Sequence, residues 1–216
     1  DQSSAASDVY KRQLQDCFKA KCSEKDEFFD LMKTIIKFEL TIDDFQNLIK
    51  SNYQDLEVSR YDTFNDLLNY CKLSANPVGS LVLKIFGDFN ETNLKLSNNI
   101  CTGLQLINFI QDINRDSKLG RIYIPLEDLN KFNINENDIL NNKSSSEMNN
   151  LVKMQCERSH KIINNGKSLV KILNGPKKIP ISLFIQSGNL VLSKIKKINY
   201  EPVLIRQELI SLKNQY

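Results

Sequence analysis

The sequence predicts an all-helical fold around a single hydrophobic core, and three observations support this. Glycine and proline are scarce, with 7 and 5 among 216 residues. Apolar residues recur mainly at spacings of three and four, which is the period of an amphipathic helix. Hydrophobic residues make up 41% of the chain and charged residues 25%, as in an ordinary globular domain of sufficient length for one core.

Composition also excludes several classes of function. The net charge of +3, without a long Lys/Arg block, does not indicate a nucleic-acid partner. Five cysteines without CxxC spacing predict a reducing, cytoplasmic setting rather than a zinc site or disulfide framework. No apolar run reaches the roughly 20 residues that span a bilayer. The single histidine, His160, is expected on a solvent-facing helix surface, because nothing near it supports a catalytic triad.

The first residues, 1–13, differ from the rest of the chain. They have no apolar period and do not begin with Met, so we expect a translated sequencing adaptor or cloning scar, or a disordered N-terminus. The remaining residues, 14–216, are predicted to form the domain.

Three helices are predicted in the first part of the domain. The first covers 24–40, and Thr41 begins a second that ends near residue 58. A third runs over 64–86. Pro77 removes a backbone N–H from its middle, so we expect a kink there, with close approach of a neighbouring helix.

A second group of helices follows. One begins at Asn90 or Thr92 and leads into a helical stretch that Gly120 ends. Residues 121–125 then leave it in an extended conformation. Further helices are predicted at 127–132, 147–173, 180–198 and from residue 203, with 133–146 as a loop or short helix.

The stretch before Gly120 carries a polar stripe. Gln105, Asn108, Asp112 and Asp116 lie at helical offsets of 0, 3, 7 and 11, and should therefore line one side of a helix. Its other sides are mostly apolar, so the stripe is expected to face a cavity. The apolar residues around it are Leu104, Leu106, Ile107, Phe109, Ile110 and Ile113.

The two aspartates of this stripe suggest metal chemistry. Like charges one turn apart cost roughly 0.2–0.5 kcal/mol on an isolated helix, so the pair is a poor stabilising device. Mg²⁺ prefers oxygen ligands and is commonly held by one or two carboxylates together with substrate phosphates. Beside an apolar cavity, this arrangement suits metal-assisted ionisation of a prenyl diphosphate. Spacing alone leaves open a proton relay or a solvated helix face.

Four segments together resemble a known family. They are Tyr70-Cys71 with Ser74–Gly79, Leu104–Asp112, Asp116 and Gly120–Pro125, and they resemble the squalene/phytoene synthases, most of all the bacterial hydroxysqualene synthase branch. Phytoene and presqualene diphosphate synthases more often have Arg where this chain has Gln111. The resemblance covers roughly residues 24–207.

The resemblance implies an all-α isoprenoid synthase bundle with a central cavity between two aspartate-rich helices. Asp112 and Asp116 would be the catalytic Mg²⁺ ligands of the second motif, and Gln105 and Asn108 would bind substrate. In the hydroxysqualene branch, presqualene diphosphate ionises, rearranges and is trapped by water, without NADPH.

Three further residues lie in segments that the resemblance assigns to the cavity wall and to substrate binding, namely Tyr53, Arg60 and Tyr70. No definite role is carried onto them. The first aspartate-rich motif should precede residue 14, and nothing there matches it. We therefore expect a partial domain whose N-terminal helices are missing and which is itself inactive, whereas the full-length protein should be an enzyme.

Other readings remain open. A squalene or phytoene synthase would act on farnesyl or geranylgeranyl diphosphate. A non-catalytic assembly factor of the same fold would be expected to lose such aspartates, and a generic helical interaction module would not explain them. The expected location is the bacterial cytoplasm, without a nucleic-acid partner. Lys194, Lys196 and Lys197 leave open a peripheral contact with the inner membrane, although a solvated helix face explains them equally.

Overall fold

A computed structural model describes residues 2–213, and within them the side chains of residues 9, 11–205, 208 and 209. These residues form helices joined by short loops, without a strand, which confirms the predicted all-helical class. The α-helices are α1 (Gln2–Phe18), α2 (Phe29–Lys37), α3 (Ile42–Glu57), α4 (Phe64–Ser74), α5 (Asn76–Phe86), α6 (Glu91–Gln111), α7 (Ile113–Lys118), α8 (Leu126–Lys131), α9 (Glu136–Leu140), α10 (Ser146–Gly166), α11 (Leu169–Ile172), α12 (Lys178–Lys197) and α13 (Pro202–Lys213). A 3₁₀ turn, Gly175–Lys177, precedes α12.

Helix α6 forms the centre of the molecule, and glycines allow its neighbours to approach closely. A Cβ at Gly103 of α6 would lie 3.1 Å from the backbone N of Ile163 in α10. A Cβ at Gly188 of α12 would lie 2.8 Å from Leu104 Cδ2, and one at Gly79 of α5 would lie 2.7 Å from Cys101 Sγ. Three neighbouring helices therefore pack directly against the backbone of α6, on different sides of it.

The predicted kink in 64–86 is a break between two helices. Helix α4 ends at Ser74 and α5 begins at Asn76, with Ala75 between them at φ −122° and ψ −47°. The Thr102 hydroxyl donates to Asn76 Oδ1 over 2.9 Å, which fixes the start of α5 on α6. The expected close helix approach is present at Gly79, as its position against α6 shows.

A buried ion pair joins α8 to α10. Arg158 donates two hydrogen bonds to the carboxylate of Asp128, which is 3% exposed. Gln155 donates a third over 2.9 Å. Removing one partner of a buried pair usually costs more than the pair contributes, so this contact specifies where α8 lies on α10.

Several predicted boundaries differ from the structure. Helix α2 is shorter than the predicted 24–40, because Asp26 accepts a hydrogen bond from the backbone N of Ser23 and forms a separate turn. The predicted helix 147–173 is divided into α10 and α11. The turn between them allows Leu169 and Leu173 to enter the core.

The N-terminal prediction has a mixed outcome. Residues 2–13, expected to be a scar or disordered, form the greater part of α1, so the disordered alternative does not describe them. Their helical conformation does not test their origin, and the adaptor stays a prediction. Leu14 and Cys17 of the same helix are buried, at 5% and 1% exposure.

The central packing generates a first prediction. Gly166→Ala would place a Cβ 3.1 Å from the backbone N of Ile100 and closer still to the Leu96 carbonyl oxygen. Backbone atoms cannot yield as a side-chain tip can, so the free energy of unfolding should fall by about 1–3 kcal/mol, as overpacking costs in other cores. Urea unfolding measures it. The exposed neighbour Asn165→Ala is the control, and equal stability of both variants would contradict the close packing.

Candidate active site

The site begins where α6 ends. Helix α6 stops at Gln111, and Asp112, at φ −97° and ψ 8°, joins it to α7. The predicted polar stripe therefore extends over two helices rather than one. Asp112 N still donates to Asn108 O over 2.9 Å, and Asp116 N donates to Asp112 O over 2.8 Å. Because these bonds continue the i to i−4 pattern, the stripe keeps its helical register across the break.

The four stripe residues differ in exposure. Asn108 is exposed, whereas Gln105, Asp112 and Asp116 are half-buried. Asn108 Nδ2 lies 3.5 Å from Gln105 Oε1, at the outer limit of a hydrogen bond, so both amides can turn toward a ligand. The structure thus brings these four residues together on a single surface, as the sequence predicted.

The electrostatics of the aspartate pair favour a cation. Burial, followed by the negative charge of Asp112, raises the pKa of Asp116, while the guanidinium groups of Arg115 and Arg121 act against the rise. Arg115 Nη1 lies 3.4 Å from Asp112 Oδ2, in a largely exposed ion pair. A divalent cation between the two carboxylates would relieve their repulsion.

A cluster of aromatic rings with one carboxylate lies beside the pair. Tyr123 follows the Gly120 stop and donates to Asp55 Oδ1 of α3 over 3.2 Å. Phe109 stacks on Tyr123 with ring centroids 4.2 Å apart, and Tyr70 lies 5.8 Å from Tyr123. Burial, followed by the Asp55 charge, raises the pKa of Tyr123 to about 12. Burial also raises the pKa of Tyr70, and both phenols therefore stay protonated at neutral pH.

The segment 121–125 holds this cluster in place. It lies beside the residues before α4, where Ile122 N donates to Ser59 O over 3.0 Å and Leu126 N donates to Tyr61 O over 2.9 Å. The left-handed Gly120, at φ +75°, allows this turn, as predicted. Arg121 Nη2 donates to Asp55 O over 2.8 Å, which ties the segment to α3.

An apolar cavity lies further along α6 from the aspartates. It has a volume of about 140 Å³ among α5, α6 and α12. Its lining includes Val78, Val82, Ile100, Leu104 and Phe184. Val78 and Phe184 are 49% and 51% exposed, so the cavity is open on that side. It is smaller than the roughly 300–1,000 Å³ typical of ligand pockets, and the described residues therefore enclose only part of the expected central cavity.

The three expected wall residues have different surroundings. Tyr70 belongs to the aromatic cluster, and Tyr53 is half-buried on α3, two residues before Asp55. Arg60 points to another group, since its Nε lies 2.7 Å from Glu136 Oε2 and its Nη1 donates to Gly120 O over 2.6 Å. In this arrangement Arg60 supports the loop after the aspartates.

Sequence reasoning missed three residues of the site: Asp55, Arg121 and Tyr123. Arg121 and Tyr123 belong to a segment singled out for its turn, but its spacing did not reveal the contact with Asp55, 66 and 68 residues earlier. Only tertiary packing joins α3 to that segment.

The donor set fits a hard cation in part. Two carboxylates one turn apart, with amide oxygens nearby, match the oxygen ligands that Mg²⁺ prefers. Within residues 2–213, no three His, Cys, Asp or Glu side chains lie close enough to hold a metal unaided. Asp112 and Asp116 would therefore share the ion with other oxygens, such as those of a diphosphate.

Comparison with known proteins gives a consistent result. A family model described as squalene/phytoene synthase matches residues 2–214. The phytoene synthase of Arthrospira platensis is 30% identical over 185 residues, covering 79% of this chain and 60% of that protein. The 15-cis-phytoene synthase of Synechocystis is 29% identical, covering 89% of this chain and 60% of that protein. The chain thus spans about 60% of the length of these curated relatives.

Solved structures agree with the fold. The crystal structure of squalene synthase HpnC from Alicyclobacillus acidocaldarius superposes with a TM-score of 0.86 at 34% identity, covering 92% of this chain and 75% of that one. A dehydrosqualene synthase solved in complex with a ligand superposes with a TM-score of 0.80 at 17% identity, covering 98% and 79%. The second likeness concerns the fold alone.

The aspartate pair generates a second prediction. Because the pKa of Asp116 is raised in the folded state, the folded chain binds more protons than the unfolded chain between the ordinary and raised values. Stability should therefore fall as pH rises through that interval. Asp112→Asn removes the second-largest cause, so the pKa of Asp116 should move down while burial keeps it above the ordinary value. Carboxyl ¹³C shifts against pH, without divalent cations, measure this.

The control for this titration is Asp43→Asn, an exposed aspartate in the first turn of α3. It should leave the Asp116 pKa unchanged. An Asp116 pKa that is the same with and without the Asp112 charge would contradict the coupling.

Proposed function

The chain belongs to the squalene/phytoene synthase family, and we propose that the full-length protein is a Mg²⁺-dependent enzyme that converts presqualene diphosphate to hydroxysqualene. One observation carries the proposal. Asp112 and Asp116 lie one turn apart at the α6–α7 junction, on the helix that also lines the apolar cavity. A charged diphosphate and an oily chain would thus bind along one helix.

The residues at the junction would act on the diphosphate. Asp112 and Asp116 would hold Mg²⁺, which supplies the positive charge that offsets the charge developing on the leaving diphosphate. The amide groups of Asn108 and Gln105 lie on the same surface and can donate to phosphate oxygens. Arg115 is largely exposed beside Asp112 and adds positive charge.

The aromatic cluster would act next to the leaving group. Tyr70 and Tyr123 stay protonated at neutral pH and can donate hydrogen bonds, while Asp55 fixes the direction of the Tyr123 hydroxyl. Their ring faces, like that of Phe109, carry partial negative charge and can stabilise a nearby carbocation.

The apolar cavity would protect the cation. Its described lining is almost entirely hydrocarbon, with Ser97 and Cys101 as polar exceptions. Such a surface offers few nucleophiles, so water capture at one carbon needs a water admitted at a defined place. The structure's apolar side also suits the hydrocarbon part of a prenyl diphosphate.

The choice among family reactions depends on particular residues. Gln111 and the Ser74–Gly79 segment resemble the hydroxysqualene branch, and the solved structure of similar sequence is titled a squalene synthase. The phytoene synthases among the curated relatives support the alternative, a squalene or phytoene synthase acting on farnesyl or geranylgeranyl diphosphate. The aspartate pair disfavours a non-catalytic assembly factor.

The metal role generates a third prediction. Asp112→Asn in the full-length protein should lower kcat/KM by at least about 100-fold, because even outer partners of metal ligands contribute roughly 10–100-fold. The Mg²⁺ concentration for half-maximal rate should rise as well. Diphosphate release measures both. Asp43→Asn is the matched control, and unchanged activity in Asp112→Asn would refute a metal role for this residue.

The substrate generates a fourth prediction. Supplied with presqualene diphosphate and Mg²⁺ but no NADPH, the full-length protein should form hydroxysqualene, identified by mass spectrometry. EDTA should abolish the reaction and Mg²⁺ in excess should restore it. Conversion of geranylgeranyl diphosphate to phytoene instead would establish the alternative. Absence of turnover with presqualene, farnesyl and geranylgeranyl diphosphates would favour the assembly factor.

A further inference from the structure

The basic residues of the chain are distributed unevenly. Residues 158–200 contain nine Lys and Arg and no Asp or Glu, which leaves 20 basic and 26 acidic residues in the rest of the sequence. The net charge of +3 therefore conceals one strongly basic segment in an otherwise acidic chain. This segment includes α11, the 3₁₀ turn and all of α12.

Helix α12 has apolar residues on two opposite sides. Ile181, Ile185 and Leu192 face the core. On the other side Ile179, Leu183 and Leu190 are 55%, 57% and 50% exposed, at spacings of four and seven. These three residues, together with Gln186 between them, form what we call the outer face of α12. Single exposed apolar residues are common, but an aligned row on one helix calls for an explanation.

A groove with basic walls adjoins the outer face. It has a volume of about 680 Å³ and lies between residues 170–175 and the first turns of α12. Lys171 and Lys178 line it together with Ile179 and Leu183. The groove therefore combines two ammonium groups with the apolar residues of the outer face.

Only some of the basic residues are available to a partner. Arg158, Lys177 and Lys194 pair with Asp128, Asp88 and Glu208 within this chain. This corrects the sequence-based hint for Lys194. Among the described side chains, no carboxylate pairs with the remaining lysines at the two ends of α12 or in the groove. These are Lys171, Lys178, Lys196 and Lys197.

We propose that the outer face of α12, with these four lysines, docks the protein on an anionic phospholipid surface. An apolar row between basic residues is the pattern of a helix that lies in a membrane interface, where lysines meet lipid phosphates and apolar side chains enter the headgroup boundary. A second copy of the chain would bring like charges together. Within the described residues no helix is long and apolar enough to cross a membrane.

The position of this surface is also informative. Leu183 belongs to the outer face, and the next residue, Phe184, lines the apolar cavity. The open side of the cavity therefore adjoins the proposed docking surface. An oily molecule could pass between cavity and bilayer over a short path. The docking itself does not depend on the proposed reaction and can be measured without it.

Vesicle sedimentation of the full-length protein tests the proposal. We expect binding to vesicles of phosphatidylcholine with one-fifth to one-third phosphatidylglycerol, little binding to pure phosphatidylcholine, and weaker binding as NaCl is raised. Lys171→Gln/Lys178→Gln should weaken partitioning roughly 30-fold, from the known contribution of each lysine near such a surface. Ile179→Ser/Leu183→Ser should weaken it roughly tenfold or more.

Matched controls make the result decisive. Lys131→Gln/Lys153→Gln removes the same charge from exposed positions on α8 and α10, and Ile36→Ser/Leu56→Ser removes exposed apolar residues from α2 and α3. Thermal unfolding should show each variant folded. Equal loss in a control pair, equal binding to neutral and anionic vesicles, or no binding would overturn the proposal. So would a change in oligomeric state, measured by analytical ultracentrifugation, in the outer-face variants alone.

Discussion

The close packing of other helices on α6 is the constraint on which the rest of the structure depends. Gly103 lets α10 approach α6, and Gly79 and Gly188 do the same for α5 and α12. With its backbone enclosed on these sides, α6 has one side left for polar groups. Asn108 and Asp112 lie on that side. The helix that is buried most deeply therefore also presents the candidate site.

The site combines local and distant contributions. Two aspartates one turn apart need only a helix, and the continued hydrogen bonding across Asp112 keeps them in register. Asp55 reaches the same place from α3, through its contact with Tyr123 and the bond from Arg121 to its carbonyl oxygen. Like charges near a partly buried carboxylate reduce stability, and such arrangements are found where function requires them.

The two faces of α12 illustrate how one helix can serve two environments. Its inner face fills the core around Ile185, whereas Leu183 and Leu190 on its outer face remain exposed. Sequence periodicity alone would place all these residues in a core, because it cannot show which side of an apolar helix lacks a neighbour. The ion pair of Lys194 with Glu208 likewise depends on how α13 lies on α12.

The sequence by itself determined the helical class, the family, the break near Pro77, the Gly120 stop and the polar stripe, because these follow from local period and from residue types at short spacing. Only the tertiary structure decided that α6 ends at Asp112, that Arg60 supports the Gly120 loop and that Asp55 joins the aromatic cluster. Contacts between residues far apart in the chain depend on how helices cross. That crossing is set by close packing at a few small residues, which periodicity does not reveal.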